Sequence, residues 1–246
     1  KIAKPNTVLE GVQYVEFLIA AFLRKIFSFL DSVTVTPGPL SIFRKEVFET
    51  LGPYKKGHQA EDLEMAFRLQ NANFKIAHAV EAIVYTFGEP KLKGLFLQRL
   101  RWRRGFLLNL GDYPQLLDFR KHGNLSFLFF CNIFGAFLSI SLVSYALFKL
   151  LTSFLGKTQQ FLVAGFNFSF PNLGWFSFNT KPTFILGILS LTVFLIYLML
   201  GKILTCDKSK LKGKTISYLV IYAFLNASWW VSAFASILFK KELKWK

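Results

Sequence analysis

Residues 96–106 read FLQRLRWRRGF. One glutamine, four arginines and a tryptophan stand in an otherwise apolar stretch, shortly before the first long uncharged segment of the chain. On a helix, Gln98, Arg101 and Trp102 share one face. A guanidinium offers planar donors that match phosphate oxygens, which an ammonium does not reproduce. Glutamine adds a neutral donor and acceptor. An indole offers a flat apolar face on which a sugar ring can stack through its C–H groups. The same residues also suit a basic amphipathic helix lying on anionic lipid, with Trp102 at the headgroup level. Arg99, Arg103 and Arg104 fit that second role equally well.

The rest of the chain places this stretch beside a membrane. Of 246 residues, 53% are hydrophobic and 17% aromatic, including thirty Phe. Mean hydropathy is +0.39. Such a Phe-rich composition points to lipid contact more than to a dense soluble core. Residues 125–148, 183–201 and 215–239 are uncharged for 24, 19 and 25 positions. Each is long enough to cross about 30 Å of hydrocarbon, so three transmembrane helices are expected, over about 125–150, 183–203 and 215–239. The segment 152–182 contains Trp175 and six Phe from Phe161 to Phe178, interrupted by Pro171 and Asn172. It suits an interfacial or re-entrant stretch better than a fourth span.

The net charge of +16 fits lysines on cytoplasmic loops. Loop 202–214 carries Lys202, Lys208, Lys210, Lys212 and Lys214, which places it in the cytoplasm together with the first 120 residues. The tail FKKELKWK would then lie outside, against the preference of its lysines, and the sequence leaves that conflict open. Cys131 and Cys206 form no disulfide framework, and His58, His78 and His122 form no metal spacing.

Ahead of the spans, residues 8–30 are apolar but carry Glu10, Glu16, Arg24 and Lys25. They read as an amphipathic helix at the bilayer surface or packed in a domain, and 91–110 as a second one. SVTVT (32–36) and LSIFR (40–44) read as strands around a Pro37–Gly38–Pro39 turn. KEVFETLG (45–52) reads as a short helix ending at Gly52. A helix opens at Glu61, and FKIAHAVEAIVYTF (74–87) is strand-like with a break near Ala79. Asp62 stands in the first turn of that helix, where the dipole and free amides stabilise an acid. Glu61 and Asp62 are therefore either helix caps, with Arg68 paired to a neighbour, or part of a site in which Asp62 is a general base.

Taken together, VTPGPLSIFRKEVFETLG, AEDLEMAFRL, VYTFGEP and QRLRWRRG resemble the membrane-integrated family 2 glycosyltransferases. That group includes cellulose, chitin, hyaluronan and poly-N-acetylglucosamine synthases. The likeness covers roughly residues 1–120 by motif and the rest by architecture. It implies an α/β fold followed by a membrane all-α region: the C-terminal part of a GT-A-type catalytic domain with interfacial helices in 1–120, then transmembrane helices in 121–246. It implies an inverting, processive transfer from a nucleotide sugar, a UDP-sugar by family habit, to a growing polysaccharide. Asp62 would be the base for the acceptor hydroxyl, with Glu61 and Arg68 in support. Gln98 and Arg101 would contact the donor diphosphate, Trp102 would stack under the acceptor sugar, and Gly38 would be a small residue near it.

The resemblance also implies Mg²⁺ or Mn²⁺ held by a D-x-D motif. The fourteen acids offer only Asp62-Leu63-Glu64 in that spacing, so no ligand set for it stands in this chain. With Lys1 in place of Met, the expectation is the C-terminal half of a longer enzyme, inactive by itself. The implied location is the plasma or inner membrane, with the catalytic part cytoplasmic, the bilayer as a partner and no nucleic acid; an export partner is left open. A non-processive enzyme acting on a lipid-linked acceptor is the near alternative. From other classes come a transport subunit, whose spans would carry ionisable groups that these lack, and a basic membrane-anchored scaffold with interchangeable cations.

Overall fold

The computed structural model describes residues 1–164 and 182–240. Seven α-helices follow one another among them: α1 (Val8–Phe29), α2 (Lys45–Leu51), α3 (Glu61–Asn71), α4 (Leu92–Asp112), α5 (Phe119–Ala164), α6 (Pro182–Leu204) and α7 (Lys212–Leu238). Short 3-10 turns lie at Gly38–Leu40, Gly57–Gln59 and Pro114–Leu117.

Local signals account for the helix ends. Thr7 opens α1 through a capping box: its hydroxyl accepts from the Glu10 amide, and the Glu10 carboxylate accepts from the Thr7 amide. Gly52 closes α2 at φ 76°, a left-handed conformation that a residue without Cβ adopts cheaply. α5 bends at Gly123 (φ 24°, ψ −93°), where the chain passes into its uncharged stretch.

The expected strands do not form, and the α/β fold class is corrected accordingly. Among the described residues there is no sheet, only one isolated parallel bridge between Ile2 and Thr86. Residues 32–36, most of 40–44 and 74–87 are non-helical, with a bend at Val80–Glu81. β-Branched residues favour a pleated surface only where a neighbouring strand completes the ladder. These segments find side chains instead. Thr36 donates from its amide and hydroxyl to the Asp62 carbonyl, and Gln70 Nε2 donates to the Val33 carbonyl. Ser28 Oγ accepts from the His78 amide.

Three helices are long and apolar enough to cross a membrane, over Phe119–Gly156, Phe184–Leu204 and Gly213–Leu238. They match the three expected spans and support an integral-membrane location. Their outward rows are apolar: Phe127, Phe130, Phe134, Phe137, Phe148 and Phe154 of α5 are all exposed, as lipid contact requires. The loop expected at 152–182 is corrected in part, because 152–164 continue α5. An apolar run without a breaker simply propagates the helix. Trp175 and the rest of that segment lie outside the described residues, as do the last six residues of the tail.

Aromatic residues also build the interior. Phe67 of α3, Phe106 of α4, Phe129 of α5 and Trp230 of α7 meet edge-on or tilted, with centroids 5.0–6.3 Å apart. Leu110, Leu116, Leu125 and Ala136 complete this core, so α3 and α4 are welded to two of the apolar helices. A second core packs Tyr14, Val15 and Leu18 of α1 against Leu198 of α6 and Leu211. There a Cβ on Gly201 would stand 2.7 Å from the Leu18 carbonyl oxygen, so glycine permits the approach of α6 to α1. The loop after α6 sits on the same end of the molecule as the N-terminal residues. Lys1 Nζ donates to the Thr205 carbonyl, and Tyr14 Oη donates to Asp207.

A third core, Val47, Met65 and Leu69, joins α2 to α3. It is secured by Arg68, 6% exposed, whose Nη1 donates to the carbonyls of Leu51 and Pro53 while Nη2 meets Glu64 at 3.2 Å. Glu64, 2% exposed, also accepts from the Tyr113 hydroxyl. Burial, then Glu64, pushes the Tyr113 phenol up to about 12, so this bond persists across the physiological range. Arg68→Ala strands a buried carboxylate and three acceptors. The expected loss is about 3–5 kcal/mol of stability, read as a lowered unfolding midpoint of the detergent-solubilised protein.

Candidate functional site

Residues 57–60 and the N-terminus of α3 lie against the middle of α4, and this contact assembles the candidate site. Gly57, His58 and Gln59 all have positive φ, at 47°, 52° and 67°. Three such residues in succession are costly for non-glycine side chains and persist only where the surroundings hold them. Asn109 of α4 does so, donating from Nδ2 to the Gly57 carbonyl and to the Gly105 carbonyl, both at 2.8 Å. A Cβ on Gly57 would strike Glu64 Cβ at 2.6 Å. Gly105 faces Ala60, the residue before α3, and a Cβ there would stand 2.7 Å from Ala60 Cβ. His58 Nε2 and Asp112 Oδ2, 2.8 Å apart, close the outer edge.

The contact brings Arg101 and Asp62 together across the chain. Arg101 Nη1 donates to the Gln59 carbonyl at 3.1 Å. Asp62 is half-buried, and its Oδ1 accepts from the Leu63 amide at 2.9 Å. Burial pushes the Asp62 carboxyl up; the Leu63 amide pulls it down, the Glu61 charge raises it and the Arg101 charge lowers it. The carboxylate therefore binds a proton more tightly than an ordinary aspartate does, with a guanidinium within electrostatic reach.

Trp102 and Gln98 continue the same face of α4, about 4.5 and 10.5 Å along the helix from Gly105. Gln98 is half-buried, and Trp102 is 38% exposed. Gly38 lies on the exposed 3-10 turn, and a Cβ there would meet nothing within 4 Å. Its surroundings therefore leave open space and place no local demand for glycine. Glu61 is exposed, whereas Arg68 is the buried clamp described above. An open groove of about 1010 Å³ lies on the other side of the 57–59 loop, lined by Tyr54, Lys56, His58, Glu61, Asp112 and Tyr113 among others. Asp62, Gln98, Arg101 and Trp102 do not line it.

Two arginines expected to face lipid do otherwise. Arg99 is 2% exposed and paired with Glu16 of α1 at 2.6 Å. Arg103 donates to Asn226 of α7 and covers the Trp230 ring at 4.6 Å. Their signals were the lone Glu16 in an apolar helix and the isolated Asn226 in an apolar span, each needing a polar partner. Gly105 likewise had one: a glycine inside a helix often marks a close approach.

The family model described as glycosyl transferase family group 2 matches residues 5–238. The chain belongs to this family. Within it, residues of this chain are 21% identical over 106 residues to the poly-beta-1,6-N-acetyl-D-glucosamine synthase of Staphylococcus epidermidis. That alignment covers 43% of this chain and 26% of the synthase, about a quarter of its length. A second sequence of the same name and species aligns to the same extent. No solved structure matches the chain. For this family group 2 member, metal chemistry finds no ready donor set: among the described residues, no three His, Cys, Asp or Glu side chains converge to hold an ion. Asp62 and Glu64 sit on one helix turn, but Glu64 is already taken by Arg68 and Tyr113.

Proposed function

We propose that this protein is an inverting glycosyltransferase that adds sugars from a nucleotide-sugar donor to a growing polysaccharide at the membrane, processively. Asp62 takes the proton from an acceptor hydroxyl. The freed oxygen attacks the anomeric carbon, the bond from that carbon to the diphosphate breaks, and the nucleoside diphosphate leaves. One displacement inverts the configuration. Gln98 and Arg101 hold the diphosphate, whose charge grows as the bond breaks; stabilising such charge is usually the largest catalytic contribution. Trp102 carries the acceptor sugar on its exposed face, and the open space at Gly38 lies on the acceptor side. The groups available here for a divalent ion do not form a site, so no step runs through one.

The observation that carries this reading is the seating of α4 on the start of α3. It puts the Arg101 guanidinium within electrostatic reach of the Asp62 carboxylate, although the two are 39 positions apart. The contacts of Lys1 and Tyr14 with the 205–207 loop support a common side for the catalytic part and the lysine-rich loop, which the positive-inside rule assigns to the cytoplasm. Glycosidic transfer next to the apolar helices would let the polymer pass directly into the membrane region.

The test is Arg101→Lys in the full-length protein, assayed in membrane vesicles with a panel of radiolabelled UDP-sugars. Lysine keeps the charge and loses the planar fork. The expected result is a fall in transfer on the order of 10²–10³-fold at unchanged protein level. Wild-type rates for the lysine variant would reduce the protein to a basic membrane anchor with interchangeable cations.

A further inference from the structure

Arg99 belongs to no assigned role, yet it is the most heavily engaged side chain on α4. It is 2% exposed. Its Nη2 donates to Glu16 Oε2 of α1 at 2.6 Å, and its Nη1 donates to Gln98 Oε1 at 3.1 Å. Its guanidinium carbon stands 4.1 Å from the centre of the Trp102 ring and 5.7 Å from that of Phe17. Glu16 in turn accepts from the Tyr222 hydroxyl of α7 at 3.3 Å through its other oxygen. One cation thus touches both α4 side chains that flank Arg101 in the proposed site, and it is tied through Glu16 to α1 and to an apolar helix.

We infer that Arg99 is a positioning residue that sets the Gln98 amide and the Trp102 indole from behind, using Glu16 as its anchor; this rests on the glycosyltransferase reading above. A guanidinium only donates. Facing Gln98, it commands the amide oxygen and turns the Gln98 NH₂ away, where it can donate to an anionic oxygen such as those of a diphosphate. Stacked on the indole, it fixes one face of Trp102 and leaves the other for an apolar sugar face. The three engagements use two separate N–H directions and the flat face of one group. Lysine, with a single ammonium point, keeps the attraction to Glu16 but does not satisfy all three. The order of the site therefore depends on how α1 and α7 seat Glu16.

The experiment uses the full-length protein in membranes, with Arg99→Lys and Gln98→Ala separately and together. Transfer rate is measured alongside UDP binding by equilibrium titration. Arg99→Lys is expected to lower the transfer rate roughly 10- to 100-fold and to weaken UDP binding, at an unchanged unfolding midpoint. In the Gln98→Ala background it should add little to the loss of UDP binding, since Gln98 is the group through which it acts on the diphosphate. Independent, multiplying effects on UDP binding overturn the inference, as does wild-type behaviour of Arg99→Lys or a loss explained wholly by a lowered midpoint. If Gln98→Ala alone changes neither transfer nor UDP binding, the diphosphate role of Gln98 fails instead. Should Arg99→Lys not reach the membrane folded, Glu16→Gln carries the same test: it keeps the hydrogen-bond acceptor and removes the anchoring charge, with the same direction and a smaller effect expected.

Discussion

Asp62→Asn lowers turnover roughly 10²–10⁴-fold, the usual contribution of a general base, while leaving donor binding nearly intact. Asparagine keeps the size and the acceptor oxygen that receives the Leu63 amide, so α3 should start as before. What it loses is the capacity to take a proton. The wild-type pH profile should reinforce this. Burial and Glu61 raise the Asp62 carboxyl, so the acid limb of kcat is expected above the ordinary aspartate range. Below that limb the carboxyl is protonated and the base is lost; above it the base is present. Glu61→Gln removes one raising charge, so the limb should move to lower pH. An upward or absent shift would show that the titrating group is not Asp62. Measurement of kcat against pH for wild type and Glu61→Gln decides the matter, and Asp62→Asn with wild-type kcat would remove the base from the mechanism altogether.

Gly105→Ala should damage the protein more than its single methyl group suggests. The new Cβ would stand 2.7 Å from Ala60 Cβ, with the His58 carbonyl at 3.6 Å behind it. Neither neighbour is the end of a long side chain that can swing aside, so α4 must back away from residues 57–60. Overpacking of this kind costs about 1–3 kcal/mol. The displacement also loosens the Asn109 bonds to Gly57 and Gly105 and the Arg101 bond to Gln59. A shift of about 1 Å there is expected to lower turnover roughly 10²-fold. The second-site change Ala60→Gly removes the colliding atom. It should restore both the unfolding midpoint and the transfer rate of Gly105→Ala in good part. Failure of that rescue would mean that the cost of Gly105→Ala lies elsewhere on α4.

The helices were legible in the chain because their signals are local. The uncharged runs at 125–148, 183–201 and 215–239 became α5, α6 and α7. In lipid a backbone must satisfy its own hydrogen bonds, and length with apolarity suffices to say so. The Thr7–Glu10 capping box and Gly52 marked helix ends for the same reason. The segments 32–36, 40–44 and 74–87 carried strand-like residues without becoming a sheet, because strand pairing depends on a distant partner that no local pattern reports. Expectations for the basic stretch were divided in the same way. Its residue types pointed to a helix with a polar face, but Arg99 and Arg103 could be separated from Arg101 only once Glu16 and Asn226 were seen beside them.

What the amino-acid order determined alone was therefore the helical periodicity, the three apolar spans and the resemblance carried by the short motifs. The tertiary structure decided which cations are buried anchors and which face the candidate site. It also decided that α4 comes within glycine distance of the residue before α3. The reason is steric and electrostatic: Gly105 meets Ala60 and Arg99 meets Glu16 across 45 and 83 positions of chain. Contacts at that separation exist only after the helices have packed.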